Sequence, residues 1–125
     1  MEQGKQGFTL IELLVVLAIV ATLLTLAAPR YFHSVDRARE AVLKQNLAGL
    51  RDALDKYHAD TGRYPDSLEE LVTRKYLRAI PPDPLTGRSD TWIPVPPQDP
   101  NLGAVYDVKS GAPGRGSDNT PYGEW

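Results

Sequence analysis

The 125-residue sequence predicts an α+β fold: a long N-terminal helix followed by a small C-terminal head. Three observations carry this. A predominantly apolar stretch runs from Phe8 to Ala28, near the ~20 residues that a helix needs to cross the hydrocarbon layer of a bilayer. Beyond it, apolar residues recur every three or four positions as far as Tyr57, which is the period of an amphipathic helix. The texture then changes, because every one of the 11 prolines except Pro29 lies from Pro65 onward, and dense proline excludes another long helix.

The apolar stretch contains one carboxylate, Glu12. An acidic residue costs about 2.5–3.5 kcal/mol at the centre of a spanning helix and less near its edge, so it is usually paired or functional. A cut between Gly7 and Phe8 would free an amine four residues ahead of Glu12, about one helical turn away. The carboxylate would then have a cationic partner on its own chain or on a neighbour. A secretory signal peptide is the rival reading, with Ala27 and Ala28 as a small-residue cleavage site. The length of the apolar run, Pro29 just after that site and a charge near the start of the run weigh against it. A plain membrane anchor leaves Glu12 without a task.

The amphipathic half places Val35, Ala38 and Val42, then Leu43, Leu47, Leu50, Leu54 and Tyr57, on the inward stripe. Asp36, Arg37, Arg39, Glu40, Lys44, Arg51, Asp52, Asp55 and Lys56 fall on a wet or subunit-facing side. Pro29 cannot donate to the Thr25 carbonyl and crowds it, so a bend or local loosening is expected there. Gly62 reads as the stop. One helix from Phe8 to about Asp60 is expected, on the order of 80 Å long at the α-helical rise.

In "PDSLEELVTRKYL", Asp66 stands three residues before Glu69, a capping-box pattern that opens a short second helix with Leu68, Leu71 and Val72 inward. "TWIPV" and "GAVYDV" are short β-prone runs that predict a small antiparallel pair, with Pro94 confining its strand to an edge. The tail, "KSGAPGRGSDNTPYGEW", reads as a glycine-rich loop closed by Tyr122 and Trp125.

Composition narrows the function. With 14 Lys+Arg against 16 Asp+Glu the chain is nearly neutral, so nucleic acid, which needs a clustered positive field, is not an expected partner. The absence of cysteine removes disulfides and thiolate chemistry together. His33 and His58 lie about seven helical turns apart on one predicted helix, too far to share a metal or a proton. No phosphate-binding loop is present, and no enzyme activity is expected.

"MEQGKQGFTLIELLVVLAIV" closely resembles the leader of the type IV pilin-like family. In that family a membrane-embedded prepilin peptidase cuts after the glycine and methylates the exposed amine, and the glutamate matches the N-terminus of the neighbouring subunit. The resemblance implies that Gly7 ends the leader, that Phe8 becomes N-methylphenylalanine and that Glu12 is the assembly carboxylate. Gly7 also suits a narrow protease cleft, having no side chain. Lys5 is offset by Glu2 before the span while Arg30, Arg37 and Arg39 follow it, so charge alone does not orient the helix. The resemblance does, with the head outside.

The second half sharpens the match. "GRYP", a short helix, Tyr76, Leu77, Ile80, Pro81, Asp83, Pro84 and Gly87 in order, then "YDVKSGAPG" and a terminal Trp, resemble the G-type major pseudopilins of type II secretion. The lack of cysteine favours that branch over type IV pilins proper. The resemblance implies a leader at 1–7, a transmembrane and assembly helix at 8–28, an amphipathic helix at 29–60 and a globular head at 61–125. It implies a structural subunit in the bacterial inner membrane, single pass, with its head in the periplasm. Its partners would be a homopolymer with other pseudopilins, the prepilin peptidase and the inner-membrane secretion platform. A type IV pilus subunit or a minor pseudopilin is the alternative.

Calcium is the one cofactor the resemblance implies, as the fastener of the C-terminal loop. Asp118, Asn119 and the Ser117 hydroxyl, with carbonyls near Val108 or Ser110, are the ligands expected here. Pro113 in "GAPG" stands where the family often has aspartate. The other reading is that Asp118 and Asn119 make a turn, which such residues do readily.

Overall fold

The computed structural model describes Gly7 and residues 9–125. The element order is α1 (Leu10–Thr61), α2 (Leu68–Thr73), β1 (Ile93–Val95), a 3₁₀ turn at Pro100–Leu102, β2 (Asp107–Lys109) and a second 3₁₀ turn at Tyr122–Glu124. The chain divides into two compact units, the first ending at Asp36 and the second running from Arg37 to Trp125.

α1 is helical without interruption across Pro29. It stops where expected. Gly62 adopts φ 74°, the left-handed region open to a residue without Cβ, and its N–H donates to the His58 carbonyl at 2.8 Å. This satisfies one of the carbonyls that a helix end leaves open.

In the first unit the side chains from Leu10 to Leu26 are exposed. In the second, α1 buries Leu43, Leu47, Leu50, Leu54 and Tyr57 at alternating spacings of four and three, so one stripe meets the head. Against that stripe pack Leu68, Leu71, Trp92, Val105 and Val108. Val42 is 44 % exposed and Ala38 is also outside the core, whereas Glu40 is only 8 % exposed. The reading that placed Val42 inward and Glu40 on the wet side is therefore reversed. Counting back from Leu43 and Leu47 in steps of three and four leads to position 40, and a run that includes 38 and 42 is out of phase with it.

α2 begins one residue later than the capping pattern suggests. Its N-cap is Ser67, not Asp66. Glu70 rather than Glu69 reaches back, its carboxylate accepting the Asp66 N–H at 2.9 Å. Leu68 and Leu71 are buried, and Val72 is half-buried.

β1 and β2 pair antiparallel with Ile93 opposite Lys109, Pro94 opposite Val108 and Val95 opposite Asp107. In a two-stranded sheet both strands are edges, which accommodates Pro94 without losing a ladder donor. Gly103 lies between the sheet strands at φ 126°, and a Cβ there would meet the Tyr64 carbonyl oxygen at 2.1 Å. Only glycine allows the chain to pass Tyr64 so closely.

The proline-rich loop is organised by a carboxylate. Asp83 is fully buried; its Oδ1 accepts the Leu85 N–H at 2.8 Å and its Oδ2 accepts the Ser110 hydroxyl. Its own N–H donates to Arg88 O at 2.8 Å, closing the turn. Trp92 Nε1 donates to Pro81 O at 2.8 Å and Asn46 Nδ2 donates to Pro82 O at 2.9 Å. A stretch whose prolines leave few main-chain donors is thus held by its own Asp83 together with Ser110 after β2, Trp92 before β1 and Asn46 of α1.

Candidate functional site

Two regions carry the residues singled out from the sequence, one in each unit. The first is the start of α1. Thr9 precedes the first helical residue, and its Oγ1 accepts the Glu12 main-chain N–H at 3.2 Å. Thr9 is therefore the N-cap and Glu12 the third helical residue, the spacing of a capping box. Glu12 also lies in the first turn, where the positive end of the helix dipole favours an anion. "TLIE" carried this signal openly as Thr-x-x-Glu, and attention to Glu12 alone missed Thr9.

The Glu12 side chain is exposed and no side chain among the described residues takes its carboxylate. Gly7 is exposed, and a Cβ there would meet nothing within 4 Å. Phe8, the expected methylated residue, lies outside the described residues.

α1 is long and apolar enough to cross a membrane, with a mean hydropathy of 2.7 over its most apolar window and none of that window buried. The polar side chains within it are quiet. The Thr22 and Thr25 hydroxyls donate to Ala18 O and Ala21 O at 2.8 Å, which satisfies them within the helix itself. Just past the apolar stretch Tyr31 and Phe32 are exposed and meet edge to face with ring centroids 5.8 Å apart. Aromatic rings of this kind favour membrane–water boundaries.

The second region is the C-terminal loop against α1. Glu40 Oε2 accepts the Ser117 N–H at 3.0 Å and the Tyr122 hydroxyl at 3.2 Å, while its Oε1 accepts the Ser117 hydroxyl at 2.7 Å. Three donors make a buried carboxylate tolerable. Lys44 Nζ stands 4.8 Å from the centre of the Trp125 ring, within cation–π range. Arg51, half-buried, donates from Nε to Asp107 Oδ1 at 2.8 Å and from Nη2 to both Val108 O and the main-chain oxygen of Trp125 at 3.0 Å. Tyr122 and Trp125 meet edge to face at 5.0 Å and pack on the core, as the tail's sequence suggested.

The five residues expected as calcium ligands make other contacts, Ser117 with Glu40. Val108 O is taken by Arg51. The Ser110 hydroxyl donates to Asp83 and accepts the Ala112 N–H at 3.1 Å. Asp118 Oδ1 accepts the Thr120 hydroxyl at 2.6 Å and its N–H at 3.1 Å. The Thr120 hydroxyl, foremost, holds the Asp118 carboxyl below the usual carboxylate range. Asn119 has φ 65° and donates its N–H to Gly116 O at 2.9 Å, forming the turn. Among the described residues no three of His, Asp and Glu are grouped as a metal ion would need.

Glu40 and Arg51 were missed as loop partners. The signal available was position: Glu40, Leu43, Leu47 and Leu50 follow the stripe's own spacing, so a charged residue there must meet something polar in the head.

A family model described as prokaryotic N-terminal methylation motif matches residues 3–28. One described as type II secretion system (T2SS), protein G matches residues 30–117. The chain is similar to the type II secretion system core protein G of Dickeya chrysanthemi, 34% identical over 115 residues, which cover 92% of this chain and 73% of that protein. The protein of the same description from Klebsiella michiganensis is 33% identical, covering 90% and 80% of the two chains. That from Pseudomonas aeruginosa is 32% identical, covering 97% and 95%. No solved structure matches. The protein G model takes in most of the chain, from just past Pro29 to Ser117 in the loop that Glu40 holds, so the chain belongs to the type II secretion system protein G family.

Proposed function

We propose that the chain is a structural pseudopilin. It is made as a precursor in the bacterial inner membrane with its head in the periplasm, cut between Gly7 and Phe8 by a prepilin peptidase and methylated on the Phe8 amine. The trimmed subunit then joins other pseudopilins in a homopolymer, the periplasmic filament of a type II secretion system, built on the inner-membrane secretion platform. The energy for this comes from another protein, since no phosphate-binding loop is present here.

The observation that carries this reading is the N-terminal stretch: Gly7 and Phe8 ahead of an apolar helix that holds Glu12 in its first turn, within the stretch matched by the methylation-motif model. Nothing in the described structure crowds Gly7. A need for glycine there therefore points to a partner's cleft. Thr9 capping α1 further supports the division, because it puts the helix start just after the cut.

The test is the intact mass of the membrane form, with N-terminal sequencing. The expected product lacks residues 1–7 and carries one added methyl group on Phe8. A mature start at Pro29 would establish the signal-peptide reading instead, and a chain that retains its leader when co-expressed with prepilin peptidase would sink the proposal.

A further inference from the structure

We infer that this chain fastens its C-terminal loop with the α1 side chains Glu40, Lys44 and Arg51, without a divalent ion. The argument is one of occupancy and charge. Calcium requires six to eight oxygens, including carboxylates. Here a guanidinium already stands 3.0 Å from both Val108 O and the Trp125 main-chain oxygen, and a second cation at those oxygens would meet like charge. The Ser117 hydroxyl is taken by Glu40, and Asp118 Oδ1 is turned to Thr120. Pro113 supplies no side-chain oxygen.

The clasp takes the place such an ion would have. Arg51 joins three points of the head, at Asp107, Val108 and Trp125. Glu40 grips Ser117 through both its N–H and its hydroxyl. The Trp125 ring then seats over Gly116, where an added Cβ would fall 2.1 Å from the ring, and Lys44 stands over that ring. Residues 40, 44, 47 and 51 follow one another along one face of α1, so Leu47 secures the core between the polar contacts. This inference does not depend on how the chain is processed or assembled.

Amide hydrogen exchange on the full chain in detergent, resolved at Ser117 and Leu50, tests it. In the parent, Ser117 exchange is expected to be the same in EDTA and in excess calcium. Glu40→Ala should raise it by about tenfold or more in both, since hydrogen bonds to a charged group hold the loop shut and exchange follows the open population. Leu50 exchange should stay unchanged, which shows that the head remains folded. Glu40→Gln, which preserves side-chain volume, gives the same reading at smaller amplitude if the alanine variant does not fold. Faster Ser117 exchange in EDTA than in calcium would overturn closure without an ion. Unchanged exchange in both Glu40 variants would overturn the role given to Glu40.

Discussion

Glu12→Ala is expected to leave membrane insertion intact and to abolish assembly. Insertion should not suffer, because the substitution removes a charge from the edge of an apolar helix. Assembly should fail because the methylated amine of Phe8 on one subunit would face a neighbour without its carboxylate. Leaving one member of a desolvated ion pair unmatched costs about 3–5 kcal/mol, a hundredfold or more in association. Paired cysteines placed along the apolar stretch report on this cleanly, since the chain has none of its own. Crosslinking between membrane-embedded subunits should vanish in the variant, and undiminished crosslinking would remove Glu12 from the assembly role.

The capping box supplies a control. Glu12 is the third residue of α1, three after the Thr9 N-cap, so alanine also removes the side chain that a capping box places at that position. Glutamine serves the box as well as glutamate does but carries no charge. Glu12→Gln should therefore fail in assembly as badly as Glu12→Ala if charge pairing is the function. A glutamine variant that crosslinks like the parent would assign Glu12 to capping alone.

Asp83→Ala should markedly destabilise the head. It strands the buried Ser110 hydroxyl and the partly buried Leu85 N–H, the first at about 1–3 kcal/mol. Ser110 is 1 % exposed, so water cannot replace the lost acceptor. A drop in the melting temperature of about 8 °C or more follows for a unit of this size, read by near-UV circular dichroism from Trp92 and Trp125 in the full chain. Asp83→Asn should lose less, because its amide oxygen still accepts from Leu85. An alanine variant that melts within about 2 °C of the parent would mean that the loop is held by Trp92 and Asn46 instead.

Part of the candidate region stands out in the sequence alone. Glu12 announced itself as a charge within an apolar run, and Gly7 and Phe8 through the residues around them. Thr9 was equally legible by spacing, as the N-cap three residues ahead of a glutamate. Glu40 and Arg51 were not, because Ser117 is 77 positions from Glu40 and Trp125 is 74 from Arg51.

What the sequence determined by itself was the local part of the structure: the long α1 with its stop at Gly62, the short α2 and the antiparallel pairing of the strands around Pro94 and Val108. Helix periodicity, a left-handed glycine and β-prone runs all act between residues close in sequence, so they can be read without a fold. Tertiary structure decided which charged residues of α1 are buried and that Asp83 holds the proline-rich loop. These choices depend on groups brought together only by folding. A buried carboxylate survives where donors converge on it, and the donors for Glu40, like the Ser110 hydroxyl for Asp83, come from distant parts of the chain.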